Sequence, residues 1–422
     1  MNYITKVKVQ NFFSVKEEVE LDFTASEYSI DYNKNRLFCR NNHYTNKLVA
    51  FYGANASGKT TVLKSIVWFA YFVSNSNQKE FPDAHSNIYA EDNLPSYIEL
   101  QFFHEDREFI YRLNLKYDKF SNIRSVKNEI LKIKKDDNFE VLFNRKKEIF
   151  RNLELEDNNS LLFDELSPNS SLLNESRSRM KDYRSLSNFF LELFNHSNIF
   201  EKVNAYDMMP LTLSLLDKEG LEKLFELIQL EIDENIINTS LKFKNFLFEV
   251  LSLLGTDIKK SKVTIKKGKN KEIETSFGLA HTIDIDKYLP FGLESAGTRM
   301  LIEFIYKIFQ TYENKSILII DELDSLIHPM IVPILNLLTV KLNIQMFYST
   351  HNISNMKYLY NDEIYLLEKD ENHNTIVKTL KKDYNGYENF EKLYRNSLLG
   401  GVPNIENINF DFLDELEETN GK

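Results

Sequence analysis

The stretch GANASGKT, residues 53–60, spaces two glycines and a Lys-Thr pair as G-x-x-x-x-G-K-[ST]. That spacing suits a phosphate group. Gly53 and Gly58 let the amides of Ala54, Asn55, Ala56 and Ser57 curl around a β-phosphate, and Lys59 reaches the β and γ oxygens. The Thr60 hydroxyl offers Mg²⁺ an oxygen ligand, and Thr61 follows it in the first helical turn. The helix that starts there adds its positive end. The plainer reading, an ordinary strand-to-helix turn, fits poorly in a chain with 12 glycines among 422 residues.

Two later segments end in complementary chemistry. SILIIDE, 316–322, is an apolar run closed by two acids. A buried strand presents such carboxylates at its C-terminal edge, where ligands of open α/β sheets bind. Asp321 would hold Mg²⁺ through water, and Glu322 would polarise an attacking water as general base. QMFYSTHN, 345–352, is a second buried-strand pattern, and it delivers His351 where a γ-phosphate should lie. Taken singly, a strand-end acid is more often a cap and a lone histidine more often structural. Their order after a phosphate loop favours the functional reading.

A fourth segment, FGLESAGTRML at 291–301, places Gly292, Ser295 and Gly297 in front of the helical run TRMLIEFIYKIF. This is an anion-binding helix start. A nucleotide already gripped at 53–60 needs no second cradle on the same side. Ser295 and Gly297 are therefore expected to meet the γ-phosphate of ATP held by another copy of the chain; a simple helix cap is the alternative.

These residues need a frame. The first 150 residues read mostly as strands (ITKVKVQ, VELDF, KLVAFY, SYIELQFF, FIYRLNLKY), interrupted by the helix TTVLKSIVWFAYFV after the phosphate loop. Residues 151–258 turn helical, with apolar residues at three- and four-residue spacing in YRSLSNFFLELF and EKLFELIQLEIDENIINTSLKFKNFLFEVLSLL. From 259 to 422 strands and helices alternate, which predicts a parallel sheet with helices on its faces. The expected class is α/β, with a mixed N-terminal β lobe, a parallel phosphate-loop sheet and a helical insertion. The tail from Ile405 mixes apolar and acidic residues and is expected to dock as a tail or helix.

Composition narrows the function classes. A net charge of −11 argues against a chain coated for nonspecific nucleic-acid binding. One basic run opposes that trend: KKSKVTIKKGKNK, Lys259 to Lys271, holds seven lysines and no acid. Its alternation, with Gly268 at the turn, predicts a basic hairpin, either a solvated face or a contact for nucleic acid or a partner. The longest apolar stretch near a membrane pattern, Ile66 to Val73, is far short of about 18 residues, so no membrane span is expected. The N-terminus lacks a signal-peptide core, and the one cysteine, Cys39, fits a reducing cytoplasm.

With these motifs in place the chain resembles the ABC-type ATPases of the SMC and OLD branch, most closely the stand-alone RloA/AbiL-like AAA-family ATPases of bacteria. The matching residues are NFFS (11–14), GANASGKT, ESAGT (294–298), DELDSLIHP (321–329), STHN (349–352) and LYRNSLLGGVP (393–403). The resemblance implies an ATPase head that forms a head-to-tail homodimer, or a higher even-numbered oligomer, around ATP and Mg²⁺. It also implies communication through LDSLIHP and service to a separately encoded effector, a nuclease or toxin, in antiphage defence. Two features depart from the branch. The OLD nucleases carry a Toprim domain, whereas 32 residues follow GYENF here without a D-x-D cluster. A Q-loop glutamine has no clear place: Gln101 falls on a strand, and SPNSSLLNES (167–176) has none. The rival classes are a DNA-repair or chromosome-type ATPase acting directly on DNA, which would need a long coiled coil or a broad basic groove, and a transport ATPase.

Overall fold

The computed structural model describes residues 2–74, 84–91, 93–118, 121–154, 156, 170–177, 180–197, 211, 213–227, 234–267, 273–381 and 389–402. The N-terminal part runs β1 (Tyr3–Gln10), β2 (Val19–Asp22), α1 (Glu27–Tyr32), β3 (Leu37–Arg40), β4 (His43–Asn46), β5 (Leu48–Gly53) and α2 (Lys59–Ser74). It continues through β6 (Ser96–His104), β7 (Arg107–Asp118), β8 (Ser121–Lys135), β9 (Asn138–Asn144) and β10 (Ile149–Phe150). Four helices follow: α3 (Leu172–Ser176), α4 (Lys181–Asn195), α5 (Lys218–Leu227) and α6 (Glu234–Leu253). Then come β11 (Ile258–Lys267), β12 (Ile273–His281), β13 (Asp284–Pro290), α7 (Ala296–Glu313), β14 (Ile317–Ile320), α8 (Leu323–Leu326) and α9 (Val332–Lys341). The described chain closes with β15 (Gln345–Ser349), β16 (Ile364–Lys369), β17 (Thr375–Thr379) and α10 (Phe390–Arg395).

The fold is α/β and rests on two large sheets. One is antiparallel, in the order β10-β9-β8-β7-β6-β1-β2. The other runs β14-β15-β5-β16-β17, with its first four strands parallel and β17 antiparallel at the edge. Strands β14, β5 and β15 are buried along their whole length, which explains why they are continuous apolar runs rather than alternating ones. Strands β8 to β10 extend the first sheet beyond the strands expected from sequence.

Helix α2 is apolar nearly all round because it is covered nearly all round. Its Val62, Ile66, Trp68 and Phe69 share one core with Val7 of β1, Leu100 of β6, Phe51 of β5 and Phe347 of β15. The phosphate loop thus hangs on a helix locked between the two sheets. The helical stretch after residue 150 is divided between cores. Leu172, Leu173, Phe189 and Phe190 join that first core, whereas Phe243, Leu247 and Leu251 pack with Phe277 of β12 and Ile302, Ile305 and Phe309 of α7. A buried carboxylate secures the first of these placements: Glu129 accepts from Ser171 Oγ at 2.8 Å and the Leu172 N–H at 2.9 Å.

The basic run forms β11, paired with β12 from Ile258↔His281 to Lys267↔Ile273, and β13 adds a third strand. The expected hairpin is present; its turn, including Gly268, lies outside the described residues, as does the tail from Ile405.

Candidate nucleotide-binding site

Gly53 ends β5 with φ +152°, and a Cβ there would stand 2.2 Å from the Leu367 carbonyl oxygen and 2.6 Å from Ser57 Oγ. Only glycine fits. Ser57 is buried, and its hydroxyl has no hydrogen-bond partner among the described residues, whereas Asn55, Ala56 and Thr60 are exposed at the loop surface. Lys59 is folded back: its Nζ donates to the carbonyls of Gly53 at 2.9 Å and Ala54 at 3.0 Å, and it is 6% exposed. The ammonium group that the sequence directs at phosphate oxygens is satisfied here by the loop itself. Burial lowers its pKa, and the nearby carboxylates of Asp321, Glu322 and Asp324 oppose that shift. The NFFS turn closes the other side, with Ser14 Oγ donating to Thr61 Oγ1 at 2.8 Å and Lys64 lying 4.1 Å over the Phe13 ring.

The parallel order β14-β15-β5 brings the ends of three strands to one edge. Ser349, the last residue of β15, is fully buried and bonds to both residues that follow β14. Its hydroxyl donates to Asp321 Oδ1 and accepts the Glu322 N–H at 2.7 Å. Glu322 adopts φ 53°, ψ 52°, a left-handed conformation that costs a non-glycine residue roughly 1–2 kcal/mol. Strain of this kind clusters at functional sites. Asp324 accepts the His351 N–H at 3.1 and 3.2 Å, tying α8 to the second residue after β15. The His351 side chain is exposed. Neither Ser349 nor Asp324 was picked out from sequence; the only local signal was their place within STHN and DELDSLIHP.

Ser295 caps α7, its Oγ accepting the Thr298 N–H at 3.1 Å. Ser295 and Gly297 are exposed. A Cβ at Gly292 would meet nothing within 4 Å, and one at Gly297 only Ser295 Oγ at 4.0 Å. This helix start therefore faces open space. Behind it Glu294 is buried and bonded at 2.9 Å to His281 Nε2, whose Nδ1 lies 3.1 Å from Asp257. Those two carboxylates, Glu294 first, raise the His281 pKa.

Gln101 is committed elsewhere, donating to Glu108 at 2.6 Å on the antiparallel sheet. Among the described residues no group of three or more His, Cys, Asp or Glu could hold a metal by itself. Thr60 and Asp321 are hard oxygen donors of the kind Mg²⁺ takes together with substrate phosphates. A lysine, a glycine-bounded loop and two strand-end carboxylates thus lie at one edge of the parallel sheet. Among the described residues no helix is long and apolar enough to cross a membrane.

Three solved structures are among those similar to the chain. The chain is similar to the SMC head domain from Thermotoga maritima, at 13% identity and TM-score 0.39, covering 89% of this chain and 98% of that one. It is also similar to the Smc head domain with a coiled coil and joint from Pyrococcus yayanosii, at 10% identity and TM-score 0.45, covering 94% and 100%. An SMC head bound to the C-winged helix domain of ScpA matches at 14% identity and TM-score 0.44, covering 90% and 99%. No curated protein matches the sequence. One family's sequence model spans residues 48–355, from the start of β5 past His351. The chain belongs to that family, described as "AAA domain, putative AbiEii toxin, Type IV TA system".

Proposed function

We propose that this chain is an ATP-hydrolysing switch of the RloA/AbiL-like kind, which pairs on ATP and controls a separately encoded effector in bacterial antiphage defence. ATP sits on residues 53–61. Lys59 leaves its two carbonyl partners for the β- and γ-phosphates, and Thr60 and Asp321 would hold Mg²⁺, which would supply positive charge beside the phosphates. Glu322 accepts the proton of the attacking water, and His351 contacts the γ-phosphate. Residues 1–150 and 259–422 make up the head, and 151–258 is a helical insertion.

The observation that carries the pairing is the open space around Gly292 and Gly297 beside exposed Ser295. A helix start that its own chain leaves uncovered is free to approach a nucleotide held by a second copy. Ser295→Arg should bind ATP but fail to pair or hydrolyse it, and Lys59→Ala should bind none. Mixed, the two form a heterodimer in which one intact phosphate loop faces one intact ESAGT. Turnover and mass are measured for each variant alone and for the mixture, with ATP present. Recovery of turnover only in the mixture is expected; full turnover by monomeric Ser295→Arg would overturn the trans arrangement.

A further inference from the structure

A cavity of about 370 Å³ lies beside the phosphate loop, between the strand ends and the C-terminal segment. Tyr52 and Gly53 line it from β5, Thr350 and His351 from the turn after β15, and Tyr394 and Arg395 from α10. Specific contacts hold the C-terminal wall in place. Phe390, Tyr394 and Leu399 are buried in the core beneath the parallel sheet. Tyr394 Oη donates to the Gly401 carbonyl at 2.6 Å, and the Gly401 N–H donates to Glu368 Oε2 at 3.0 Å. Gly401 has φ +70°, and a Cβ there would lie 3.6 Å from Gly53 Cα and 3.4 Å from the Leu367 carbonyl oxygen. The wall thus rests directly on the first glycine of the phosphate loop.

One feature marks this cavity as a place for an anionic ligand. Arg395 supplies the fixed positive charge among the residues that line the cavity. Its guanidinium is 57% exposed and rests on Glu391 Oε1 at 3.0 and 3.2 Å, a surface pair of small worth. A phosphate carries more charge than one carboxylate and fits the planar guanidinium with two hydrogen bonds.

We infer that Arg395 leaves Glu391 to contact the terminal phosphate of ATP. The segment Phe390–Val402 is then a wall of the site, contributed by the same chain, that distinguishes triphosphate from diphosphate. This rests on residues 53–61 being the ATP site.

The test is calorimetric titration of the full chain with Mg²⁺ and either AMP-PNP or ADP. In Arg395→Ala the dissociation constant for AMP-PNP should rise about 10-fold or more, as for loss of a charge-assisted hydrogen bond, with ADP affinity unchanged. Arg395→Lys keeps the charge without the fork and should fall between. Glu391→Gln frees the guanidinium and should tighten AMP-PNP alone. An unchanged ratio of AMP-PNP to ADP affinity in Arg395→Ala would overturn the assignment, whether both affinities fall together or neither moves. Wild type that binds neither nucleotide would instead overturn the reading of residues 53–61, and this inference with it.

Discussion

Ser349 Oγ accepts the backbone N–H of Glu322 at 2.7 Å, across the β15–β14 boundary. The same hydroxyl donates to Asp321, so one buried serine sets both the carboxylate assigned to Mg²⁺ and the left-handed backbone of the assigned base. Removing it takes away one bond to the Asp321 carboxylate and one to the Glu322 backbone. Ser349→Ala should lower turnover by about 10–100-fold, the usual effect of losing a group that orients a metal ligand. ATP affinity in EDTA should be unchanged, while the gain in affinity on adding Mg²⁺ shrinks. Unchanged turnover and an unchanged Mg²⁺ response would reduce Ser349 to a packing residue.

Lys59→Ala should abolish ATP binding and leave the chain folded. The lysine's bonds go to two loop carbonyls, which water reaches once the side chain is gone. A titration with ATP and a far-ultraviolet dichroism spectrum check both halves. Unchanged ATP affinity would remove the phosphate-loop assignment.

Two glycines should respond in opposite ways. Gly53→Ala drives a Cβ to 2.2 Å from the Leu367 carbonyl oxygen and should destabilise the fold by about 2 kcal/mol or more. Gly297→Ala places its methyl group in open space within a helix, so it should leave stability unchanged or raise it by up to about 1 kcal/mol. If the second copy approaches closely there, this harmless alanine should still impair ATP-driven pairing. Urea unfolding of both variants, with mass measurement of Gly297→Ala in ATP, separates these effects.

His281 should make stability fall as pH rises. Its folded-state pKa is raised by Glu294 and Asp257, so the contribution is full below about 6.5, the unfolded value, and is lost as pH climbs through the folded one. His104 and His196, lowered by burial to about 4, act in the opposite window: they weaken the fold as pH falls below about 6.5. The melting temperature of wild type should therefore drop more steeply than that of His281→Gln between about pH 6.5 and 9. Parallel curves would mean that the Asp257–His281–Glu294 contact stores no stability.

Lys259, Lys260 and Lys262 are exposed on β11. Changing all three to glutamate should leave ATP turnover intact and weaken binding to duplex DNA or to an acidic partner, most strongly at low salt. Binding that is the same across a salt series would return this strand to the role of a solvated face.

The phosphate loop, the acids after SILII and the histidine after QMFYST were legible because each depends on a few adjacent residues. An apolar run that ends in polar residues is a strand end wherever the strand is placed, and GANASGKT carries its own backbone requirement. The antiparallel pairing of β6 with β7 and the burial of α2 likewise follow from local periodicity. What only the tertiary structure decided was adjacency. Nothing within SILIIDE or QMFYSTHN states that β15 lies between β14 and β5, yet that order alone brings Ser349 to Asp321 and Glu322, and Asp324 to the His351 amide. The helical stretch from 151 to 258 reads as one block because amphipathic period is the same whichever core receives it. Its halves separated only when Glu129 and the first core took α3 and α4, while α7 took α6. The contact of Gly401 with Gly53 spans almost the whole chain, and long-range packing of that kind leaves no period in the sequence to detect.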